Sequence, residues 1–173
     1  GVTGWGWNNS GQATAPTNLN NAVAISAAVL RSMALRADGT LIAWGDNSVG
    51  QSDIPTNLQN VVALALGATH NVALKADGTV ACWGYGTSGQ LDLPPGLTNI
   101  ISVAAGNYHS LALHRDGTVV GWGDDTEGQA TPPPGLTNVV SIHAQASHSY
   151  AMRADGTIVA WGNNSNGETS IAQ

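Results

Sequence analysis

Trp-Gly recurs at Trp5, Trp44, Trp83, Trp122 and Trp161, and every step is 39 residues. Asp-Gly keeps the same step at Asp38, Asp77, Asp116 and Asp155. So do Pro16, Pro55, Pro94 and Pro133, and Leu19, Leu58, Leu97 and Leu136. Gly-Gln follows at Gly11, Gly50, Gly89 and Gly128, with Gly167-Glu168 as the fifth member. No insertion breaks the register. A fixed period of this length marks one supersecondary unit that buries its apolar faces only against its neighbours. The 173 residues hold four complete units and a remainder of 17 at the N-terminus.

The third unit shows what the repeat is made of. Ile100 to Ala104 is β-rich and apolar, Gly106-Asn107-Tyr108 is a turn, and His109 to His114 is a second strand. Asp116-Gly117 then predicts a type I′ hairpin, with positive φ at both central positions. Thr118 to Trp122 returns as a third strand. A short fourth strand is expected at the edge near Gln129–Thr131, since Pro132, Pro133 and Pro134 follow at once. The strands carry apolar residues on both faces, as sheets covered on both sides do. No 3.6-residue periodicity runs long enough to supply covering helices. The cover must be other sheets of the same kind, which describes an all-β propeller over residues 1–173. The small Ala34, Ala73 and Ala112 would let neighbouring sheets approach closely, and the repeated Trp would fill the wedge between them.

Composition narrows the partners. Only 9% of residues are charged and the net charge is −6 with five Lys and Arg. That argues against nucleic acid, where cationic contacts to phosphate dominate, and against an anionic membrane surface. No apolar run approaches the roughly 18–20 residues of a membrane span. The single Cys82 excludes an internal disulfide and a cysteine-based zinc site. No stretch has the basic start and apolar centre of a secretory signal, and a start at Gly1 leaves a removed leader open.

The wording His109-Ser110-Leu111-Ala112-Leu113, Asp116-Gly117-Thr118-Val119, Gly121-Trp122-Gly123, Gly128-Gln129 resembles the regulator of chromosome condensation repeat. The resemblance covers essentially the whole chain. The short, regular spacing is similar to compact bacterial members, among them the secreted β-lactamase inhibitor propellers. It implies a non-enzymatic propeller that presents loops to a protein partner, with an extracellular or cell-surface location. Inhibition of a secreted enzyme is an alternative, although that subfamily carries aromatic residues on the turns between the first two strands, and here only Tyr108 fits. Relatives that exchange guanine nucleotides or dock on chromatin carry basic tails and long inserted loops, which this sequence lacks.

Four units of this wedge shape would leave a gap, and Val2 to Gly6 reads as one extra Trp-Gly strand. An open propeller exposes two apolar sheet faces. Two chains are therefore expected to close one ring of about eight sheets as a homodimer. A fragment of a longer propeller, or an engineered assembly with no second kind of partner, is the other reading.

Comparison of the units with one another finds two variable loops. One joins strands one and two: Val29-Leu30, Ala68-Thr69, Asn107-Tyr108 and Ala146-Ser147. The other follows Trp-Gly and holds Trp7, Asp46, Tyr85, Asp124, Asp125 and Glu127. Strand polarity puts both at one end of each sheet, with the Asp-Gly turns opposite. Loops on a rigid scaffold concentrate binding residues, so Trp7, Tyr85 and Tyr108 are candidate aromatic anchors. Asp46, Asp124, Asp125 and Glu127 would be their acidic surround. Trp5, Trp44, Trp83, Trp122, Trp161, Asp38, Asp77, Asp116 and Asp155 are expected to be structural.

Chemistry is hard to find. His70, His109 and His148 share one phase with Arg31, but equivalent residues of separate sheets diverge around the axis. No nucleophile–base order, carboxylate pair or phosphate loop with its Lys stands out. The carboxylates of Asp124-Asp125-Thr126-Glu127 lack the full ligand spacing of a calcium loop. No catalytic residue, cofactor or metal is expected.

Overall fold

The computed structural model describes residues 1–171. Among them are twelve strands, grouped as four antiparallel three-stranded sheets, one per 39-residue unit. The first sheet holds β1 (Ala22–Ala27), β2 (Arg31–Arg36) and β3 (Leu41–Gly45). The second holds β4 (Val61–Leu66), β5 (His70–Lys75) and β6 (Val80–Gly84). The third holds β7 (Ile100–Ala105), β8 (His109–His114) and β9 (Val119–Gly123). The fourth holds β10 (Val139–Gln145), β11 (His148–Arg153) and β12 (Ile158–Gly162). In each the middle strand is the second, so the chain runs as a simple meander.

The first strands lie toward the axis. β1, β4, β7 and β10 touch in succession, and the four turns that follow them surround one shared cavity. Ala68 N–H donates to Asn107 C=O and Asn107 N–H to Ala146 C=O, so adjacent turns are joined backbone to backbone. At the other end, Val61, Ile100 and Val139 N–H donate to the carbonyls of Gly39, Gly78 and Gly117 in the preceding sheet. The second and third sheets, and the third and fourth, are thus tied backbone to backbone at both ends.

Three apolar layers fill the spaces between sheets. Met33, Leu35, Leu41 and Ala43 of the first sheet meet Val61, Leu64, Leu66, Ala73 and Trp83 of the second. The same phases recur between the second and third sheets, and between the third and fourth. Each sheet therefore has a rear face toward the unit before it and a forward face toward the unit after. The alanines at Ala34, Ala73, Ala112 and Ala151 are buried in the middle strands, and Trp83, Trp122 and Trp161 fill the wedges. A middle strand apolar on both faces follows from this double cover.

Three local expectations are corrected. The Asp-Gly turns are not type I′: φ is positive at Gly39 (78°) and its equivalents but not at Asp38. Gly39 N–H donates to Arg36 C=O and Arg36 N–H to Thr40 C=O, a three-residue loop with Gly left-handed. Asp38 Oδ1 instead accepts from Thr40 N–H and Oγ1–H, and holds the turn from its side chain. No fourth strand forms at Gln129–Thr131, which belongs to a turn before the prolines. Val2–Gly6 forms no strand either. Gly4 packs on Ala13 as Gly121 packs on Ala130, so the segment sits in third-strand position, but no second strand lies beside it.

Candidate functional site

The junctions between sheets are built by two adjacent polar phases at the start of the middle strands. His109 Nε2 lies 2.8 Å from Ser149 Oγ in the next sheet, and Ser149 Oγ–H donates to Gln129 C=O at 2.8 Å. Since Ser149 spends its only proton on that carbonyl, His109 Nε2–H is the donor. His70 Nε2 meets Ser110 Oγ at the same 2.8 Å. In the first unit Arg31 replaces histidine, and Asn71 replaces the serine it would meet. Arg31 donates to Asn71 Oδ1 (3.1 Å) and to the carbonyls of Gly67, Ala68 and His70. Asn71 Nδ2–H in turn donates to Gln51 C=O at 2.8 Å. Across the seams each histidine meets a serine, and the arginine meets an asparagine.

These groups are buried, which leaves the two histidines neutral and Arg31 charged. Burial pulls His70 and His109 down to about 4, with Arg31 adding repulsion at His70 and Asp124 partly countering at His109. Burial also lowers Arg31 to about 10, partly offset by Asp46. The Cys82 thiol is pushed up to about 12 by burial, so it is an inert packing group. Gly67 and Gly106 lie flat against the imidazoles of His70 and His109, where any Cβ would land on the ring.

The corner after each Trp-Gly is the variable rim. The Gln side chains at Gln51, Gln90 and Gln129 are buried, and each Oε1 accepts a backbone N–H two residues earlier. Asp46 Oδ2 and Asp124 Oδ2 receive the Nε2–H of Gln51 (2.6 Å) and Gln129 (2.8 Å). Asp125 holds Ala130 N–H and Thr131 Oγ1–H. Three of the four candidate acids are therefore engaged in building their own loops, a role the sequence reading missed. Glu127 is exposed, as are Trp7, Tyr85 and Tyr108. Tyr85 stands where Asp46 and Asp124 stand in their loops, and the buried Gln90 Nε2 accordingly has no partner. Among the described residues no group of three or more His, Cys, Asp or Glu is placed to hold a metal ion.

Two further surfaces stand out, one that the sequence reading missed and one, the pair of end faces, that it expected. Val23, Val62, Ile101 and Val140 are exposed on the axial strands, each the extra residue of a β-bulge. Their repeated apolar identity was the available signal. The second surface is the pair of end faces. Ile25 on the rear of the first sheet is 55% exposed, whereas its equivalent Ile142 is 4% exposed. Met152 on the forward side of the fourth sheet is 42% exposed, whereas Leu113 is 0%. Trp5 is 86% exposed, against 7% for Trp161.

Radially arranged, mutually covering sheets with polar clasps and variable rim loops define a β-propeller scaffold. Its unit matches the regulator of chromosome condensation (RCC1) repeat at residues 23–51, 61–90, 100–129 and 139–168, and the chain belongs to that family. No curated protein matches it. Among solved structures it is similar to yeast RCC1 (Prp20) bound to Kap60, with a TM-score of 0.74 and 21% identity over 86% of this chain and 45% of that one. The ectodomain of the Physcomitrella patens receptor kinase CR4 gives 0.68 and 25%, over 82% and 41%. The computationally designed Ika4 protein gives 0.53 and 24%, over 80% and 88%. The chain spans about half the length of the yeast structure.

Proposed function

We propose that the chain is a non-enzymatic scaffold for protein interaction that closes into a ring with a second copy. The carrying observation is the pair of end faces, which keep the residues of a buried junction without the neighbour. Ile25, Ala27, Ala34 and Trp44 repeat the rear-face chemistry of Ile142, Ala144, Ala151 and Trp161. Of the end-face residues, Ile25, Ala27 and Met152 are exposed, and exposed apolar surface marks an interaction site. Light scattering at 10 µM, a concentration of the order typical for such contacts, is expected to give twice 17.6 kDa. A monodisperse monomer would overturn ring closure.

The rim is the face for a different protein. Trp7, Tyr85 and Tyr108 are exposed there, and the exposed Glu127 sits on a loop braced by Asp124 and Asp125. Aromatic anchors on rigid loops are the usual source of interface energy. The yeast relative was solved in complex with Kap60, a protein partner. Alanine at Trp7, Tyr85 and Tyr108 is expected to abolish retention of such a partner while leaving the fold unchanged by circular dichroism. A partner retained equally by the triple variant would overturn the assignment.

A further inference from the structure

The clasp residues of the two end faces match each other, and this deepens the ring reading on which it rests. His148 is the forward clasp of the fourth sheet, and among the described residues no sheet follows to meet it. Ser32 is the rear clasp of the first sheet, and no preceding histidine meets it. Ser32 is set as Ser149 is set: its Oγ–H donates to Gln12 C=O at 3.0 Å, as that of Ser149 donates to Gln129 C=O. Its lone pairs face the position from which His109 reaches Ser149. The one unit whose forward clasp is arginine is followed by the one unit whose rear clasp is asparagine. The fourth unit offers histidine, and the first offers serine.

We propose that the forward face of the fourth sheet docks on the rear face of the first sheet of a second copy, with His148 Nε2 donating to the second copy's Ser32 Oγ. Ile158, Met152 and Tyr150 then cover Ile25, Ala34 and Trp44. Two segments compete for one seat, because residues 1–12 and 157–168 hold the same positions of the repeat. The incoming β12 is paired in a sheet and Trp161 is buried, whereas residues 1–6 pair with no strand and Trp5 is exposed. Residues 1–12 therefore give way. Glu168 C=O, which takes Tyr150 Oη–H at 2.8 Å in the free chain, replaces Gln12 C=O as acceptor for Ser32 and Trp44.

The test exploits the two clasp types. His148→Arg leaves the introduced arginine facing Ser32, and Ser32→Asn leaves His148 facing the introduced asparagine. Each variant alone is expected to dimerise about tenfold more weakly than the parent in sedimentation equilibrium, within the range of coupled pairs. An equimolar mixture of the two single variants restores the parent affinity, because both junctions of the mixed pair are then matched. Thermal midpoints of the isolated variants at low concentration check that both fold. Dimers unaffected by either substitution, or weakened singles not rescued by mixing, overturn the clasp while leaving self-association standing. A parent chain that stays monomeric at 100 µM, well above the dissociation constant of an ordinary stable interface, overturns both.

Discussion

The interior junctions and the two end faces carry nearly the same side chains and do opposite things with them. At a junction, Leu113, Ile142 and Trp161 are buried between sheets, and His109 reaches Ser149 across the seam. At the ends, the equivalent Met152, Ile25 and Trp5 are exposed. The forward end face also differs in kind. His143 and Tyr150 stand where Ala104 and Leu111 are buried in the third unit. In a quasi-one-dimensional array the stability lies in the seams rather than in the sheets. The rear end face differs from a seam by what sits against it, and the forward one also by His143 and Tyr150.

Acid should separate the two regions most. His70 and His109 are held near 4 by burial in the seams, below the ordinary 6.5. The unfolded chain therefore binds protons first as pH falls. Stability is at its full value above 6.5 and drains away between 6.5 and 4, by about 3 kcal/mol for each histidine at pH 4. Urea midpoints at pH 7.5 and pH 4 should differ accordingly, and His70→Asn should remove about half of the difference. Midpoints that do not move with pH would mean that these imidazoles titrate freely.

The first seam depends on one guanidinium. Arg31→Ala removes a buried donor from three carbonyls and Asn71 Oδ1. Leaving those acceptors dry is expected to cost about 3–5 kcal/mol. Arg31→His combined with Asn71→Ser should recover most of this loss, because it installs the clasp of the other two seams. Failure of that pair to recover stability in denaturant titrations would show that the two clasp types are not interchangeable. Packing gives a smaller contrast at one phase. Leu113→Ala should cost about 2–4 kcal/mol. Met152→Ala should cost under about 1 kcal/mol in the monomer and weaken only self-association.

The repeat was legible because its period is a matter of arithmetic, and four sheets follow from it. Strand positions were legible too: Ile100, His109 and Val119 begin strands within a residue of the reading. What remained hidden lies between units. The Asp-Gly turns were misread because the loop closes between Arg36 and Thr40 with three residues inside it, one more than a type I′ turn holds. Val2–Gly6 was read as a strand because its wording is that of β12, but a strand is made by its neighbour. The acids of the rim were read as surface because their partners, Gln51, Gln129 and Ala130, lie across a loop closure. His70 and His109 were set apart from metal chemistry by divergence around the axis. Their true partners lie 40 residues on, in the next unit.

The rim offers the finest comparison, between three loops of identical frame. Gln51 and Gln129 give their amide protons to Asp46 and Asp124, but Gln90 finds Tyr85 in that place and its Nε2 stays buried and unpaired. Tyr85→Asp should supply the missing acceptor. The gain expected from satisfying one buried donor is about 1 kcal/mol, read as a small rise in the denaturant midpoint. The same change deletes an exposed aromatic group from the proposed partner-binding face. A variant that is more stable and binds less well would show that Tyr85 is kept at the expense of its own loop, which is what a residue held for a partner does. A variant that gains stability and binds as before would leave Tyr85 without a role at the rim.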